Sequence, residues 1–137
     1  MNEKECLFCN ITTNEIPAKI IFNDEICIGI LDIFPISKGH TLVIPKSHYS
    51  TIEDIPDDIL THLMVVVKKL GKKIHNRLNI DGYNILQNNF TAAGQVINHF
   101  HIHIIPRKKD DAKFQIKIPK LQIDDSTLDA IKSEILS

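Results

Sequence analysis

The stretch that decides the fold of this chain runs His99-Phe100-His101-Ile102-His103-Ile104-Ile105. Successive side chains of a β-strand point to opposite faces, so a strand over His99–Pro106 places the three histidines on one face. The apolar residues between them then line the other face and fill a core. Because packing does not account for three imidazoles in a row, we predict that the histidine face carries chemistry.

Two chemistries fit three histidines on one face. One is a metal site, in the simplest case a metal-centred hydrolase, because imidazole is a common ligand. The other is nucleophilic catalysis by a neutral imidazole. The spacing does not decide between them. Just upstream, residues 91–95 read Thr-Ala-Ala-Gly-Gln, and such small residues let backbone N–H groups approach an anion closely. Together with the histidines, this loop suggests a phosphate-bearing partner.

Composition sets limits on the class of protein. The chain has 137 residues, 43% hydrophobic and 24% charged, which is typical of one globular domain spanning 1–137. The net charge of −1 argues against nucleic acid as a partner. No apolar run approaches the roughly 20 residues that span a bilayer, and the charged start Met1–Glu5 does not resemble a signal peptide. We therefore expect a cytoplasmic protein without membrane contact.

Hydrophobic periodicity predicts an α+β fold with a largely antiparallel sheet. Apolar residues recur every three or four positions over Asp54–Arg77, which indicates one long helix. A short N-terminal helix is expected within Cys6–Asn14, and a terminal helix over Asp124–Ser137. The predicted strands are Ala18–Asn23, Ile26–Asp32, His40–Pro45, Tyr83–Gln87 and His99–Pro106. One more strand is suggested where Phe114, Ile116 and Ile118 alternate with polar residues.

The three cysteines argue against a disulfide framework, because their number is odd. Cys6 and Cys9 form a Cys-x-x-Cys pair that has three interpretations: a redox pair, two buried thiols without function, or half of a zinc site. Zinc is favoured, because two thiolates and two imidazoles make a closed tetrahedral site. Cys27 lies in a predicted strand and is expected in the core, whereas His62 and His75 are expected on the surface of the long helix.

The chain resembles the histidine-triad (HIT) family of nucleotide hydrolases and transferases, whose signature alternates three histidines with apolar residues. The matching segments are Cys6-x-x-Cys9, Glu15–Lys19, Asp32, Gly39–His48, Asn88, Gly94-Gln95 and residues 99–105. The resemblance covers roughly Cys6–Arg107 and is greatest to the bacterial-type, Hint-like nucleotide-binding branch. The extension 108–137 matches no specific pattern.

The resemblance implies a fold and an activity. The fold is a five-stranded antiparallel sheet with one long helix and a short N-terminal helix, and two such chains pair into a homodimer with a ten-stranded sheet. The activity is hydrolysis of purine nucleoside 5′-phosphoramidates, or related conjugates of AMP or GMP, through a covalent nucleotidyl-histidine. Two alternatives are hydrolysis of the dinucleoside polyphosphates Ap3A or Ap4A, and nucleotide-dependent regulation with vestigial activity.

The resemblance also implies roles for individual residues around the reacting phosphate. The catalytic histidines would be His40, His99, His101 and His103. His101 would attack the α-phosphorus, His103 would hold a phosphate oxygen, and His40 would belong to the polar network beside them. The phosphate would be cradled by the loop residues Gly94, Gln95 and Val96.

The implied nucleotide pocket combines apolar side chains with two polar groups. The purine would lie among Phe8, Ile11, Ile16 and Ile33. Asp32 would bind the ribose hydroxyls, and Asn88 would make a polar contact to the nucleotide. Val96 departs from members that have Ser at this position, so no hydroxyl is available near the leaving group.

The resemblance supplies the partners of the Cys-x-x-Cys pair. One structural zinc per chain would be held by Cys6, Cys9, His48 and His99. A closed site with four protein ligands takes no part in bond making, and we expect it to tie the N-terminus to the histidine stretch.

Overall fold

The structure is a computed structural model that describes residues 3–111 and 118–137. The elements are α1 (Leu7–Thr12), β1 (Ile20–Asn23), β2 (Cys27–Leu31), β3 (Thr41–Pro45), α2 (Asp57–Arg77), β4 (Gly82–Leu86), β5 (Ile102–Arg107) and α3 (Asp125–Leu136), with 3-10 turns at Glu3–Glu5 and Thr91–Ala93. The strands form one sheet in the order β1-β2-β3-β5-β4, and every neighbouring pair is antiparallel. The predicted α+β class and five-stranded antiparallel sheet are confirmed.

A separate hydrophobic cluster covers each face of the sheet. The first joins α2 to side chains of the central strands, with Leu63, Val67, Leu70, Val43, Phe100, Ile102 and Ile104 among its members. The second joins α1 to the opposite face and includes Cys6, Phe8, Ile11, Ile28, Ile30, Leu42 and Ile44. Because β2 and β3 are covered on both sides, their apolar residues run almost without interruption.

The long helix begins at Asp57, three residues later than the predicted start at Asp54. Pro56 is the N-cap residue, with the extended dihedral angles φ −62° and ψ 146°. Asp54 belongs to a preceding turn, in which its carboxylate accepts a hydrogen bond from the Thr51 backbone N–H at 3.2 Å. A residue before proline avoids helical angles, so the turn and the helix remain separate.

The fifth strand is also shorter than predicted and begins at Ile102 rather than His99. The backbone N–H of Phe100 donates to the carbonyl oxygen of Tyr49 at 2.6 Å, outside the sheet ladder. His99 and His101 therefore lie in the segment that leads into β5, whereas His103 lies within the strand. The predicted alternation persists across this boundary, because Phe100 and Ile102 enter the α2 core while His99 and His101 face α1.

The described part of the C-terminal extension contains helix α3, in the predicted region. Its N-cap residue Asp124 accepts a hydrogen bond from the Thr127 N–H at 2.7 Å, and the whole helix is exposed. The additional strand predicted around Phe114 and Ile116 lies outside the described residues, and Ile118 is not in a strand. Within residues 3–111 and 118–137, no helix has both the length and the apolar character needed to cross a bilayer.

Candidate active site and metal centre

The histidines of the 99–105 stretch lie side by side, with His99 and His101 buried against α1 and His103 half-buried next to His101. His99 is fully buried and His101 is 8% exposed. The ring of Phe8 packs edge-on against both, with ring centroids 5.9 Å from His99 and 5.0 Å from His101. The His101 and His103 rings are 4.9 Å apart. The predicted histidine face therefore exists as a continuous surface of three imidazoles.

A backbone carbonyl sets the tautomer of the middle histidine. His101 Nδ1 lies 2.7 Å from the carbonyl oxygen of His99. A carbonyl oxygen only accepts hydrogen bonds, so Nδ1 carries the proton. In the neutral ring Nε2 then holds an unprotonated lone pair. Burial lowers the pKa of His101, which keeps this neutral form populated at neutral pH.

A chain of hydrogen bonds sets the tautomers of His40 and His103. The backbone N–H of Ile36 donates to His40 Nδ1 at 3.1 Å, so the proton of the neutral His40 ring lies on Nε2. His40 Nε2 donates in turn to His103 Nδ1 at 2.9 Å. The proton of neutral His103 is thereby placed on Nε2, which becomes a hydrogen-bond donor.

Burial keeps this relay uncharged. Desolvation lowers the pKa of His40 and lowers the pKa of His103 to about 4. Asp32 opposes the shift, with its Oδ2 atom 3.7 Å from His40 Nε2, but burial has the larger effect. The site at neutral pH thus offers an unprotonated nitrogen on His101 and a donor nitrogen on His103.

The loop before the histidines is held by the side chain of Gln95, which is 7% exposed. Its Oε1 atom accepts a hydrogen bond from the Phe90 N–H at 2.8 Å, and its Nε2 atom donates to the carbonyl oxygens of Ser50 at 2.7 Å and Ile97 at 3.1 Å. These bonds engage the amide group fully. The structure therefore assigns Gln95 to the shape of the loop, a role that the sequence did not reveal.

Some backbone N–H groups of the same loop already donate hydrogen bonds within the loop. The N–H groups of Gly94 and Gln95 donate to the carbonyl oxygens of Thr91 and Phe90. Gly94 has φ +90°, a left-handed conformation that suits glycine. Val96 is 89% exposed, and no hydrogen bond involves its N–H within the described parts of the chain. Among the three predicted phosphate-contacting residues, Val96 thus has the available N–H.

The residues predicted for the nucleotide pocket differ in burial. Phe8 and Ile11 are buried in the second cluster, and Ile16 packs against its edge. Ile33 is 76% exposed, beside Asp32. Asp32 Oδ1 accepts a hydrogen bond from the Phe34 N–H at 2.9 Å, which fixes the carboxylate and leaves Oδ2 for other donors.

The polar residue Asn88 lies close to the loop glycine. Its Nδ2 atom is 3.8 Å from the point where a Cβ on Gly94 would stand. An amide at this position is near the loop that would hold a phosphate, which is compatible with the predicted contact.

The Cys-x-x-Cys pair meets the two predicted histidines. Nδ1 of His99 lies 3.4 Å from the sulfur of Cys6 and 3.5 Å from that of Cys9, and Nδ1 of His48 lies 3.3 Å from the sulfur of Cys9. All four ligand atoms lie within 4.8 Å of one another. Ligands at zinc distances of about 2.3 Å for sulfur and 2.0 Å for nitrogen lie about 3.3–3.8 Å apart in a tetrahedron. The donor set and its spacing therefore fit zinc.

The surroundings of these ligands support the same assignment. His99 Nε2 donates to the Pro45 carbonyl oxygen at 2.9 Å, which leaves the lone pair of Nδ1 directed at the thiols. Burial and the adjacent Cys6 thiol raise the pKa of Cys9 to about 12. A bound cation would lower the pKa of the thiol again, because it stabilises the thiolate.

Backbone partners of the site escaped the sequence analysis, among them the groups of Ile36, Pro45 and Ser50. Each is a main-chain donor or acceptor, and every non-proline residue offers both, so residue type carries no signal for them. His62 on the long helix is 36% exposed, in agreement with its predicted surface position, and its Nε2 atom lies 2.6 Å from Asp24 Oδ2.

Comparison with known proteins places these features in a family. The HIT domain model matches residues 13–110. An uncharacterised HIT-like protein of Methanocaldococcus jannaschii is 48% identical over 79% of this chain and 83% of its own length. The adenosine 5′-monophosphoramidase HNT1 of Saccharomyces cerevisiae is 36% identical over 96% of this chain and 81% of its own. The crystal structure of a zinc-bound histidine triad family protein from Mycobacterium smegmatis superposes with a TM-score of 0.79 at 36% identity, covering 87% of this chain and 86% of the other.

Proposed function

The chain belongs to the HIT family, and on that premise we propose that it hydrolyses purine nucleoside 5′-phosphoramidates, or related conjugates of AMP or GMP. The observation that carries the proposal is the 2.7 Å hydrogen bond from His101 Nδ1–H to the His99 carbonyl oxygen. It leaves His101 Nε2 as an unprotonated nucleophile in a buried site. The similarity to a yeast adenosine 5′-monophosphoramidase supports the substrate class.

The reaction takes place in two displacements at the α-phosphorus. The lone pair of His101 Nε2 forms a bond to phosphorus, and the bond from phosphorus to the leaving amine breaks as the amine takes a proton. Water then attacks the phosphorus, the bond to Nε2 breaks, and the nucleoside monophosphate is released with the proton passing to solvent. One difficult step becomes two easier ones, because a phosphorus–nitrogen bond to imidazole is labile.

The hydrogen-bond relay supplies a donor for the developing charge. His103 Nε2–H is the donor left by the bond from His40, and we assign it to a non-bridging phosphate oxygen. Neutral His103 can fill this role, because a neutral imidazole N–H donates a hydrogen bond. His40 acts as a positioning residue, since it contacts His103 and is itself 2% exposed.

The remaining contacts to the nucleotide follow the predicted pocket. We assign the Oδ2 atom of Asp32 to the ribose hydroxyls, because a carboxylate oxygen accepts from such donors. We assign the purine to the apolar residues Phe8, Ile11, Ile16 and Ile33, of which Phe8 and Ile11 are buried and Ile33 is exposed. Val96 and Asn88 contact the phosphate end through a backbone N–H and a side-chain amide.

The group that protonates the leaving amine is water in this proposal. Val96 has no hydroxyl, and its 89% exposure leaves the site open to solvent on this side. Amines that need strong protonation therefore leave more slowly than anionic groups, which also keeps the dinucleoside polyphosphates Ap3A and Ap4A as alternative substrates.

Zinc has a structural role in this proposal. One zinc held by Cys6, Cys9, His48 and His99 supplies a cross-link between α1 and the histidine segment, and the four protein ligands leave it no open position. The reduced thiols suit the expected cytoplasmic location.

We further propose a homodimer with a ten-stranded sheet. β4 is an edge strand of the sheet, and its residues Ile85 and Leu86 are 42% and 39% exposed. Within the described residues β4 has no strand on its outer side, and such an edge with exposed apolar side chains favours pairing with a second β4. The net charge of −1 supports a small-molecule partner rather than nucleic acid.

The test is turnover of adenosine 5′-monophosphoramidate by the wild type and by His101→Ala, with acid quenching to trap nucleotidylated protein. We expect the wild type to release AMP and carry label on His101, and the variant to do neither. His75→Ala is the matched control, because His75 is an exposed histidine on α2.

Other outcomes point to the alternatives. Turnover of Ap3A or Ap4A alone would shift the substrate to dinucleoside polyphosphates. Tight AMP binding without turnover of either class would indicate a regulatory protein. Full activity of folded His101→Ala would overturn the mechanism.

A further inference from the structure

A second group of metal-ligating side chains lies away from the histidine triad. It consists of Asp24 in the turn between β1 and β2, Cys27 at the start of β2, and His62 on α2. Their ligand atoms all lie within 4.8 Å of one another. We propose that Asp24, Cys27 and His62 form a second metal site in this chain, for a thiol-binding divalent cation such as zinc.

Two backbone N–H groups hold the Asp24 carboxylate in a fixed orientation. Asp24 Oδ1 accepts hydrogen bonds from the N–H groups of Ile26 and Cys27, both at 2.8 Å. These two bonds fix the orientation of the carboxylate and leave Oδ2 facing His62, 2.6 Å from Nε2. Fixed outer contacts of this kind are what orient the ligands of metal sites.

The site is open on one side and closed on the other. The side chains of Asp24 and His62 are 29% and 36% exposed, whereas Cys27 is fully buried. A cation can therefore approach from the exposed side of the carboxylate and the imidazole, with the buried sulfur on the far side. Three protein ligands leave a fourth position for water, as in open zinc sites.

The chemistry of the three ligands selects the class of cation. Carboxylate, thiolate and imidazole together suit zinc, cobalt or cadmium rather than magnesium or calcium, which prefer oxygen ligands. On binding, the Cys27 thiol releases its proton to solvent, and the His62 proton moves to Nδ1 so that Nε2 can bind. Two anionic ligands then neutralise the divalent charge. His62 and Asp24 must separate by about 0.7 Å to reach the spacing of tetrahedral ligands.

The test is a cobalt titration of the full chain whose four-ligand site is first filled with zinc. Cobalt binds such sites more weakly than zinc and does not displace it readily. We expect one further equivalent of cobalt to bind and to give a near-ultraviolet thiolate-to-cobalt absorption band. Cys27→Ser should lose the band, and Asp24→Asn should weaken cobalt binding by at least about tenfold.

The substitutions are chosen to change the metal ligands while preserving the fold. Asp24→Asn retains an oxygen that can accept from Ile26 and Cys27, so the turn is preserved while the charge is removed. His75→Asn, on the same helix, is the control that should change nothing. No band in the wild type would overturn the proposal, as would a band that survives in folded Cys27→Ser, since it would then arise from cobalt in the four-ligand site.

Discussion

Replacing Gln95 by Met separates two roles that this residue could have in the loop before the histidines. Met has a similar length but makes none of the three hydrogen bonds that join Gln95 to Phe90, Ser50 and Ile97. Each such bond contributes about 1 kcal/mol, and a buried partner left unpaired costs about 1–3 kcal/mol. We expect the free energy of unfolding to fall by about 2–4 kcal/mol, which lowers Tm by about 10 °C.

The assay combines thermal unfolding with turnover of adenosine 5′-monophosphoramidate. Because the loop presents the Val96 N–H, we expect the kcat/KM of the variant, measured below its melting temperature, to be about 10–100-fold lower than that of the wild type. Gln122→Met is the control, since Gln122 is exposed in the C-terminal extension. If Tm stays within about 1 °C of wild type while turnover falls, Gln95 acts on the phosphate and our account of the loop is wrong.

Three further predictions concern the metal and the histidine relay. Removing zinc with a chelator, or Cys9→Ser, should lower Tm while measurable turnover persists below the new transition; turnover that vanishes at every temperature would indicate a catalytic metal. His40→Phe should lower kcat/KM by about 100-fold because His103 loses its fixed tautomer, and an unchanged value would refute the relay. Burial lowers the pKa of His103 to about 4, below the value near 6.5 in the unfolded chain. The contribution of neutral His103 to the free energy of unfolding is therefore complete above pH 6.5 and is lost as pH falls toward 4, by up to about 1.4 kcal/mol per pH unit. Denaturant unfolding at pH 7.5 and pH 5 should therefore show a steeper loss for the wild type than for His103→Asn, and parallel curves would contradict this assignment.

The alternation of residues 99–105 predicted the faces of the histidine segment correctly, but it did not predict where the strand begins. The side-chain period of two continues through His99 and His101 although neither belongs to β5. The strand is delayed by the bond from Phe100 N–H to the Tyr49 carbonyl oxygen, a main-chain contact between distant residues. The local sequence pattern indicates which way a side chain points, whereas the hydrogen-bond partner of a backbone group depends on the tertiary structure.

Burial of polar side chains shows the same limit. Gln95 was expected to contribute to the phosphate cradle, and His62 was expected on the surface of its helix. The structure adds what the sequence did not indicate: the Gln95 side chain has three hydrogen-bond partners, and the partly exposed His62 contacts Asp24. Residue type indicates that such groups need partners when buried, but the identity of those partners follows from the packing.

His99 connects the metal centre to the proposed chemistry through two different atoms. Its Nδ1 atom faces the sulfurs of Cys6 and Cys9, and its carbonyl oxygen accepts a hydrogen bond from His101 Nδ1–H. A zinc that holds the His99 ring therefore also holds the carbonyl that keeps the His101 nucleophile in its reactive tautomer. A structural metal of this kind affects turnover through geometry alone, so its loss should lower kcat by misplacing His101 even while the remaining protein stays folded.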